Sequence, residues 1–311
     1  MQVNVAVIGV GHMGRIHLSK LCAFNNVTVS GVYDIDLARA GECARQYSLP
    51  VFSDYADAIA HSTCAVIATP TESHYDIARE CLLRGVHVFL EKPITAVPDE
   101  ARELVDMAEK KGLVLQVGHL ERLNPALQKA LPHIRKPVLI ETRRVSPFTG
   151  RSTDVDVILD LMIHDLDLVL SLARGTVKDV WAEGICFVSR FYDTAQARIE
   201  FSDGCVANLT TSRVAAHRER SITIYEEKST FYVDLMQGKL VTIRAAGDAA
   251  TDVTEYVCEG MDPVRDELIE FATAVAGNEK RPSVTGMDGL EALTLANRIR
   301  DCIAGKRGVE H

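Results

Sequence analysis

The chain opens with an almost unbroken apolar run, Val3 to Ile8, and similar runs recur at Val27–Tyr33, Cys64–Ala68, Val86–Leu90 and Leu113–Val117. Strands without polar alternation are those of a parallel sheet covered on both faces. Between them the apolar positions take a helical period, over Arg15–Phe24, Leu37–Tyr47, Ala56–Ala60, Tyr75–Arg84 and Asp99–Lys111. Strand and helix in strict alternation predict a doubly wound Rossmann sheet over residues 1–118. After Gly118 the rhythm changes. The pattern predicts a helix from the His119–Pro125 stretch to about Ile134, a strand at Val138–Val145, a Ser146–Asp154 loop and a helix over Val157–Ala173. Six strands with few helices between them follow: Val177–Val188, Thr194–Phe201, Cys205–Arg213, Arg220–Glu226, Ser229–Asp234 and Lys239–Arg244. Two helices, Pro263–Ala276 and Met287–Ala304, finish the chain. Residues 119–311 therefore read as an α+β domain with a large, mainly antiparallel open sheet, one face of which a second copy of the chain would cover.

The first strand runs directly into Gly9-Val10-Gly11-His12-Met13-Gly14. Glycine is needed at the first position for a tight turn, at the second for backbone approach to a pyrophosphate, and at the third for helix–strand packing. Alone the motif is weak; between a strand and a helix it predicts a dinucleotide site. Asp34, twenty residues past Gly14, ends the second strand where a carboxylate accepts ribose hydroxyls. It would repel a 2′-phosphate, and Ile35 brings no compensating charge, so NAD is expected over NADP. Thr69 and Pro70 fall at a third strand end and would line the nicotinamide side of the crevice; His74, just beyond, is as well suited to packing as to a ligand. Glu91-Lys92-Pro93 closes the fourth strand. There an amine faces the crevice above the strand ends and can handle a proton.

In the second domain Asp160 and His164 stand four apart, one turn from each other in an otherwise apolar helix, with Asp167 bordering that face. An acid beside an imidazole orients it and favours proton acceptance. A satisfied structural pair is the competing reading. No cysteine or second histidine stands at ligand spacing, so no metal is expected. Arg122, Arg143, Arg144, Arg151, Arg213, Arg218 and Arg220 offer cations for a diphosphate, although most such side chains are solvated surface charges.

Charge and composition narrow the partners. With 34 basic against 43 acidic residues the net charge is -9, which opposes a nucleic-acid role. Eight cysteines without a C-x-x-C pair read as reduced thiols, and no apolar run reaches membrane-spanning length. The amino terminus carries no leader pattern. A cytoplasmic protein is expected.

Gly9–Gly14, Ala68-Thr69-Pro70, Glu91-Lys92-Pro93 and the Asp160/His164 pair together resemble the glucose–fructose oxidoreductase, inositol dehydrogenase and rhizopine-catabolism family of sugar dehydrogenases, over essentially the whole length. The resemblance implies NAD-dependent oxidation of a carbinol, with Lys92 and His164 handling the hydroxyl proton and Asp160 positioning substrate or histidine. On that footing Gly9, Gly11, His12, Met13, Gly14, Asp34, Thr69, Pro70, His74, Glu91 and Lys92 are the candidate cofactor residues. It also implies a homodimer or homotetramer built on the open sheet. A narrower resemblance, to the bacterial UDP-N-acetylglucosamine 3-dehydrogenases, rests on Val117–Pro125, Leu159–Val169 and Ala207–Arg213. It implies a UDP-sugar substrate held by Arg122, Asn124, Arg151, Asp160, His164 and Arg213, and an aminotransferase that takes the 3-oxo product toward 2,3-diamino sugars of lipid A. The alternatives are a family dehydrogenase acting on an inositol, a free sugar or a UDP-sugar acid; a non-catalytic dinucleotide sensor; and an NADP-linked reductase, which Asp34 opposes.

Overall fold

The computed structural model describes residues 3–150, 155–247, 250–277 and 281–307. The amino-terminal elements are β1 (Val3–Ile8), α1 (His12–Leu21), β2 (Val27–Tyr33), α2 (Leu37–Tyr47), α3 (Tyr55–Ala60), β3 (Cys64–Ile67), α4 (His74–Leu83), β4 (His87–Leu90), α5 (Pro98–Lys111) and β5 (Leu115–Val117). The five strands form one parallel sheet in the order β2-β1-β3-β4-β5. Its apolar strands are buried on both faces, as their unbroken pattern requires. The chain order reverses beside β1, so the crevice at the carboxyl ends opens where Gly9, Asp34, Thr69 and Lys92 follow β1, β2, β3 and β4. Helix α1 begins at His12, three residues earlier than its apolar period suggests, directly on the glycine turn.

The carboxyl-terminal elements are α6 (Pro125–Ala130), β6 (Leu139–Val145), α7 (Ile163–Leu172), β7 (Val177–Ile185), β8 (Thr194–Phe201), β9 (Val206–Ser212), β10 (Glu219–Tyr225), β11 (Ser229–Asp234), β12 (Lys239–Ala245), β13 (Thr251–Val257), α8 (Pro263–Val275) and α9 (Gly286–Arg307). The eight strands join in the order β13-β12-β11-β10-β6-β9-β8-β7, antiparallel except for the parallel pair β6–β9. Strand pairing explains the alternation. One cross-strand row, Ala182, Ala197, Leu209, Thr142, Ile222, Val233 and Leu240, is buried throughout. Beside it runs a row on the opposite face, Trp181, Arg198, Asn208, Glu141, Thr223, Tyr232 and Val241, half-buried to exposed. The buried face packs on α6, α7 and the later turns of α9 through Leu127, Leu166, Leu295 and Ile299.

Four expectations are corrected. The helix foreseen to Ile134 is broken: Leu120–Leu123 is a 3-10 turn, Pro125 starts α6 behind an Asn124 cap, and Leu131–His133 is 3-10 again. Pro125 and Pro132 lack the amide that a continuous helix needs. The helix foreseen from Val157 begins with a π turn, Ile158–Met162, before α7. Strand β13 was not legible because all seven of its residues are exposed and show no buried period. Finally, the chain divides into one compact unit of Met1–Leu120 with Asp262–Leu290 and another of Glu121–Met261 with Glu291–His311, so α8 does not belong with the second domain. Its Leu268, Phe271, Ala272 and Val275 complete the core around Val5, Leu18 and Leu21, and Lys20 reaches Asp262 at 2.6 Å. Among the described residues no helix is long and apolar enough to cross a membrane.

Ile222 is fully buried at the centre of the large sheet. Ile222→Ala should lower unfolding free energy by about 2–5 kcal/mol, read from urea denaturation, whereas Thr223→Ala beside it should cost well under half of that.

Candidate active site

The cofactor crevice is built by what glycine omits. Gly9 holds φ +88°, and a Cβ there would lie 2.6 Å from the Ala68 carbonyl oxygen; a Cβ on Gly14 would lie 1.9 Å from the Gly9 oxygen. Both positions exclude a side chain. Gly11 has open space where its Cβ would be, so backbone is presented to the crevice at the start of α1, with no side chain capping the helix. An anionic pyrophosphate suits that end. Gly9, Gly11, Met13, Asp34, Thr69, Pro70, Glu91 and Lys92 all line a cleft of about 770 Å³. The cleft therefore fits a dinucleotide on its own geometry.

Asp34 is almost fully buried at the cleft edge. Its Oδ2 accepts the Val10 amide and its Oδ1 the Asp36 amide, both at 2.9 Å, which fixes the carboxylate toward β1. Arg39 stands 3.6 Å from it and also lines the cleft, as do Tyr33, Ile35 and Tyr55. The sequence reading missed these four. Arg39 was legible as a cation one turn into α2; Tyr55 had no local signal, since only the fold brings it there.

Three candidate cofactor residues have other places. Gly14 is packing, not lining, and His12 is an exposed first residue of α1. His74 is buried, and its ring joins two backbone oxygens, Nδ1 to Pro93 and Nε2 to Thr69, each at 2.9 Å. Burial lowers its pKa below the usual histidine value, against the pull of those carbonyls. It ties together the loops after β3 and β4, the packing role weighed above.

Glu91 likewise turns inward. Its Oε1 meets His17 Nε2 at 2.6 Å, and its carboxylate packs against Gly118, where a Cβ would lie 3.3 Å from Oε2. Burial raises the Glu91 carboxyl, but the hydrogen bond and charge of His17, with Lys92 adding to them, bring it below the ordinary glutamate range. The Lys92–Pro93 peptide is cis.

In the second unit Asp160 lies in the π turn and His164 one turn on, both half-buried. Asp156 caps this segment by accepting the Ile158 and Leu159 amides at 3.1 and 3.0 Å, and pairs with Arg300 at 2.8 Å. The acids on either side of His164's turn are locked. Arg144 clasps Asp165 through Nε and Nη2 at 2.8–3.1 Å and reaches Glu121 at 2.9 Å, all buried. Burial pushes the Asp165 carboxyl up, opposed by the Arg144 charge. Arg122 clasps Asp167 at 2.7 and 2.8 Å.

The candidate substrate cations lie in the same unit. Arg122 is committed to Asp167, and Arg213, buried, to Asp193 at 3.2 Å, to the Tyr192 carbonyl at 3.1 Å and to the Val155 carbonyl. Asn124 caps α6 and donates to the Leu235 carbonyl at 2.9 Å. Arg151 lies outside the described residues.

A crevice of this kind with a strand-end lysine defines a nicotinamide-dependent oxidoreductase. Residues 3–119 match the profile of an oxidoreductase family with an NAD-binding Rossmann fold, and residues 137–232 that of the GFO/IDH/MocA C-terminal domain. UDP-N-acetylglucosamine 3-dehydrogenase of Acidithiobacillus ferrooxidans is 34% identical, over 96% of this chain and 97% of that one. A solved structure of that enzyme superposes with a TM-score of 0.92 at 33% identity, covering 98% of this chain and 99% of the other. The scyllo-inositol 2-dehydrogenase (NAD(+)) of Bacillus subtilis is 26% identical over 92% and 90% of the two chains. The chain belongs to the GFO/IDH/MocA oxidoreductase family and carries its NAD-binding domain.

Asp165→Asn would leave Arg144 with Glu121 alone in a buried setting. Its expected cost is about 3–5 kcal/mol in chemical denaturation, with loss of activity following loss of fold.

Proposed function

We propose that the protein oxidises the 3-hydroxyl of UDP-N-acetylglucosamine to the 3-oxo sugar with NAD. The observation that carries this reading is 34% identity with the Acidithiobacillus enzyme across nearly the full length of both chains. The intact set Lys92, Asp160 and His164 supports it, because a dinucleotide sensor needs none of the three. NAD, when bound, accepts the hydride that leaves the sugar carbon. Lys92 takes the hydroxyl proton as the carbon–oxygen double bond forms and stabilises charge on that oxygen. His164 is the second proton-handling group, and Asp160 orients it or a sugar hydroxyl. Asp34 would hold the adenosine ribose of the cofactor, and the amides at the start of α1 would hold its pyrophosphate.

A 3-oxo sugar is a ketone ready for an amine, so the reaction suits a cytoplasmic sequence in which an aminotransferase consumes the product. The partly exposed row Trp181, Tyr232 and Val241 on the open face of the large sheet supports homo-oligomerisation there.

NADH absorbance should rise with UDP-N-acetylglucosamine and NAD, more strongly with a coupled aminotransferase and glutamate, and stay flat with free polyols. A signal from polyols alone would replace the substrate. Lys92→Met should lower turnover by about 10²–10⁴-fold with NAD affinity little changed; near-normal turnover would remove Lys92 from the chemistry.

A further inference from the structure

Behind the lysine-bearing strand end lies a group of ionisable side chains that the hydride transfer does not use. His17 from α1, Glu91 at the end of β4 and Glu267 from α8 place a ring nitrogen and carboxylate oxygens within 4.8 Å of one another. His17 is 0% exposed and Glu267 2%. The surroundings are apolar: His17 meets Phe89 edge-on with ring centroids 5.2 Å apart, and Phe89 meets Phe271 likewise at 5.8 Å. Gln116 of β5 donates to the Glu267 backbone carbonyl at 3.0 Å, which fixes that turn of α8. Neither carboxylate oxygen of Glu267 has a hydrogen-bond partner among the described residues. A zinc ion bound at about 2 Å to each donor would hold His17 Nε2 and Glu91 Oε1 farther apart than their 2.6 Å. The contact is a hydrogen bond.

We propose that His17, Glu91 and Glu267 form a proton-holding triad in which His17 and Glu267 are positioning residues for Lys92, acting through Glu91. The proposal rests on the acid–base role of Lys92 given above. Two carboxylates this close, in a dry apolar setting, do not both ionise readily. Glu91 holds the charge, stabilised first by His17, and Glu267 holds the proton. Burial, then the charges of Glu91 and Glu270, push the Glu267 carboxyl well above the ordinary glutamate range. The groups facing Glu91 are His17 from α1, His74 from α4 and Glu267 from α8, with Lys92 next along the chain; those facing Glu267 are His17, Glu91 and Glu270. When Glu267 gives up its proton, a second negative charge appears beside Glu91. Glu91 and His17 must then rearrange, and the disturbance reaches Lys92 across one peptide bond.

The sign of the stability effect follows. Native Glu267 keeps its proton to higher pH than the unfolded chain does, so stability is lost as pH rises from the unfolded value through the raised native one. Glu267→Gln, permanently neutral and the same shape, is free of that loss. Thermal midpoints of wild type and Glu267→Gln should therefore diverge in favour of the variant by roughly 3 °C or more between pH 5 and pH 9. The alkaline fall of kcat, measured with UDP-N-acetylglucosamine and NAD, should move up by about one pH unit in the variant. Parallel curves for both quantities would overturn the proposal, as would a variant destabilised equally at every pH. Stoichiometric divalent metal in purified wild type, lost in Glu267→Gln, would overturn it too. The readouts separate the two readings. If Lys92→Met stays active while the midpoints diverge, the lysine reading fails and the proton on Glu267 stands. If Lys92→Met is inactive and the midpoints run parallel, the triad alone fails.

Discussion

The first unit depends on the absence of two side chains. Gly9 and Gly14 let α1 rest on the turn after β1 and let that turn rest on the Ala68 carbonyl. This approach brings the start of α1 to the crevice, lets Asp34 bind the Val10 amide, and sets Thr69 beside the cleft. A methyl group at either position would have to displace backbone, not a flexible side-chain tip. The open start of α1, the placing of Asp34 and that of Thr69 at the cleft are therefore consequences of one close contact.

Around the lysine strand end and around the Asp160/His164 segment, buried charge is balanced by nearby partners. His17 answers Glu91; Arg144 answers Asp165 and Glu121; Arg122 answers Asp167. Such pairs contribute little net stability compared with apolar packing, but breaking one is costly, so they fix geometry more than they stabilise it. Glu267 departs from the pattern, since neither of its carboxylate oxygens has a hydrogen-bond partner among the described residues.

Much of this was legible in the sequence because it is local. Both-face burial writes unbroken apolar runs, and the glycine fingerprint, Asp34 and Glu91-Lys92-Pro93 each follow a strand end. The antiparallel sheet was legible from strands that follow one another with few helices between, except β13, which buries no face. What escaped depends on distant residues meeting. The Arg122–Asp167 pair joins residues 45 apart, and His74, as well suited to packing as to a ligand on its sequence, meets Pro93, which is not its neighbour in the chain. The π turn at Ile158–Met162 has the same composition as an α turn, so nothing local distinguished it. The return of α8 to the first unit was invisible for a related reason: an amphipathic helix states that it must pack, not against what.

That return bears on how the molecule is made. The five-stranded sheet is complete once β5 has been synthesised, yet the core around Val5, Leu18 and Leu21 lacks Leu268 and Phe271 until α8, much later in the chain, arrives. Within the large sheet the central strand β6 waits similarly for β9 and β10. Pairings this distant along the chain are closed late and slowly. The nascent protein should therefore present a sheet with an uncovered apolar flank to the ribosome exit and to chaperones, and a chain stopped before Asp262 should be the species most prone to aggregate.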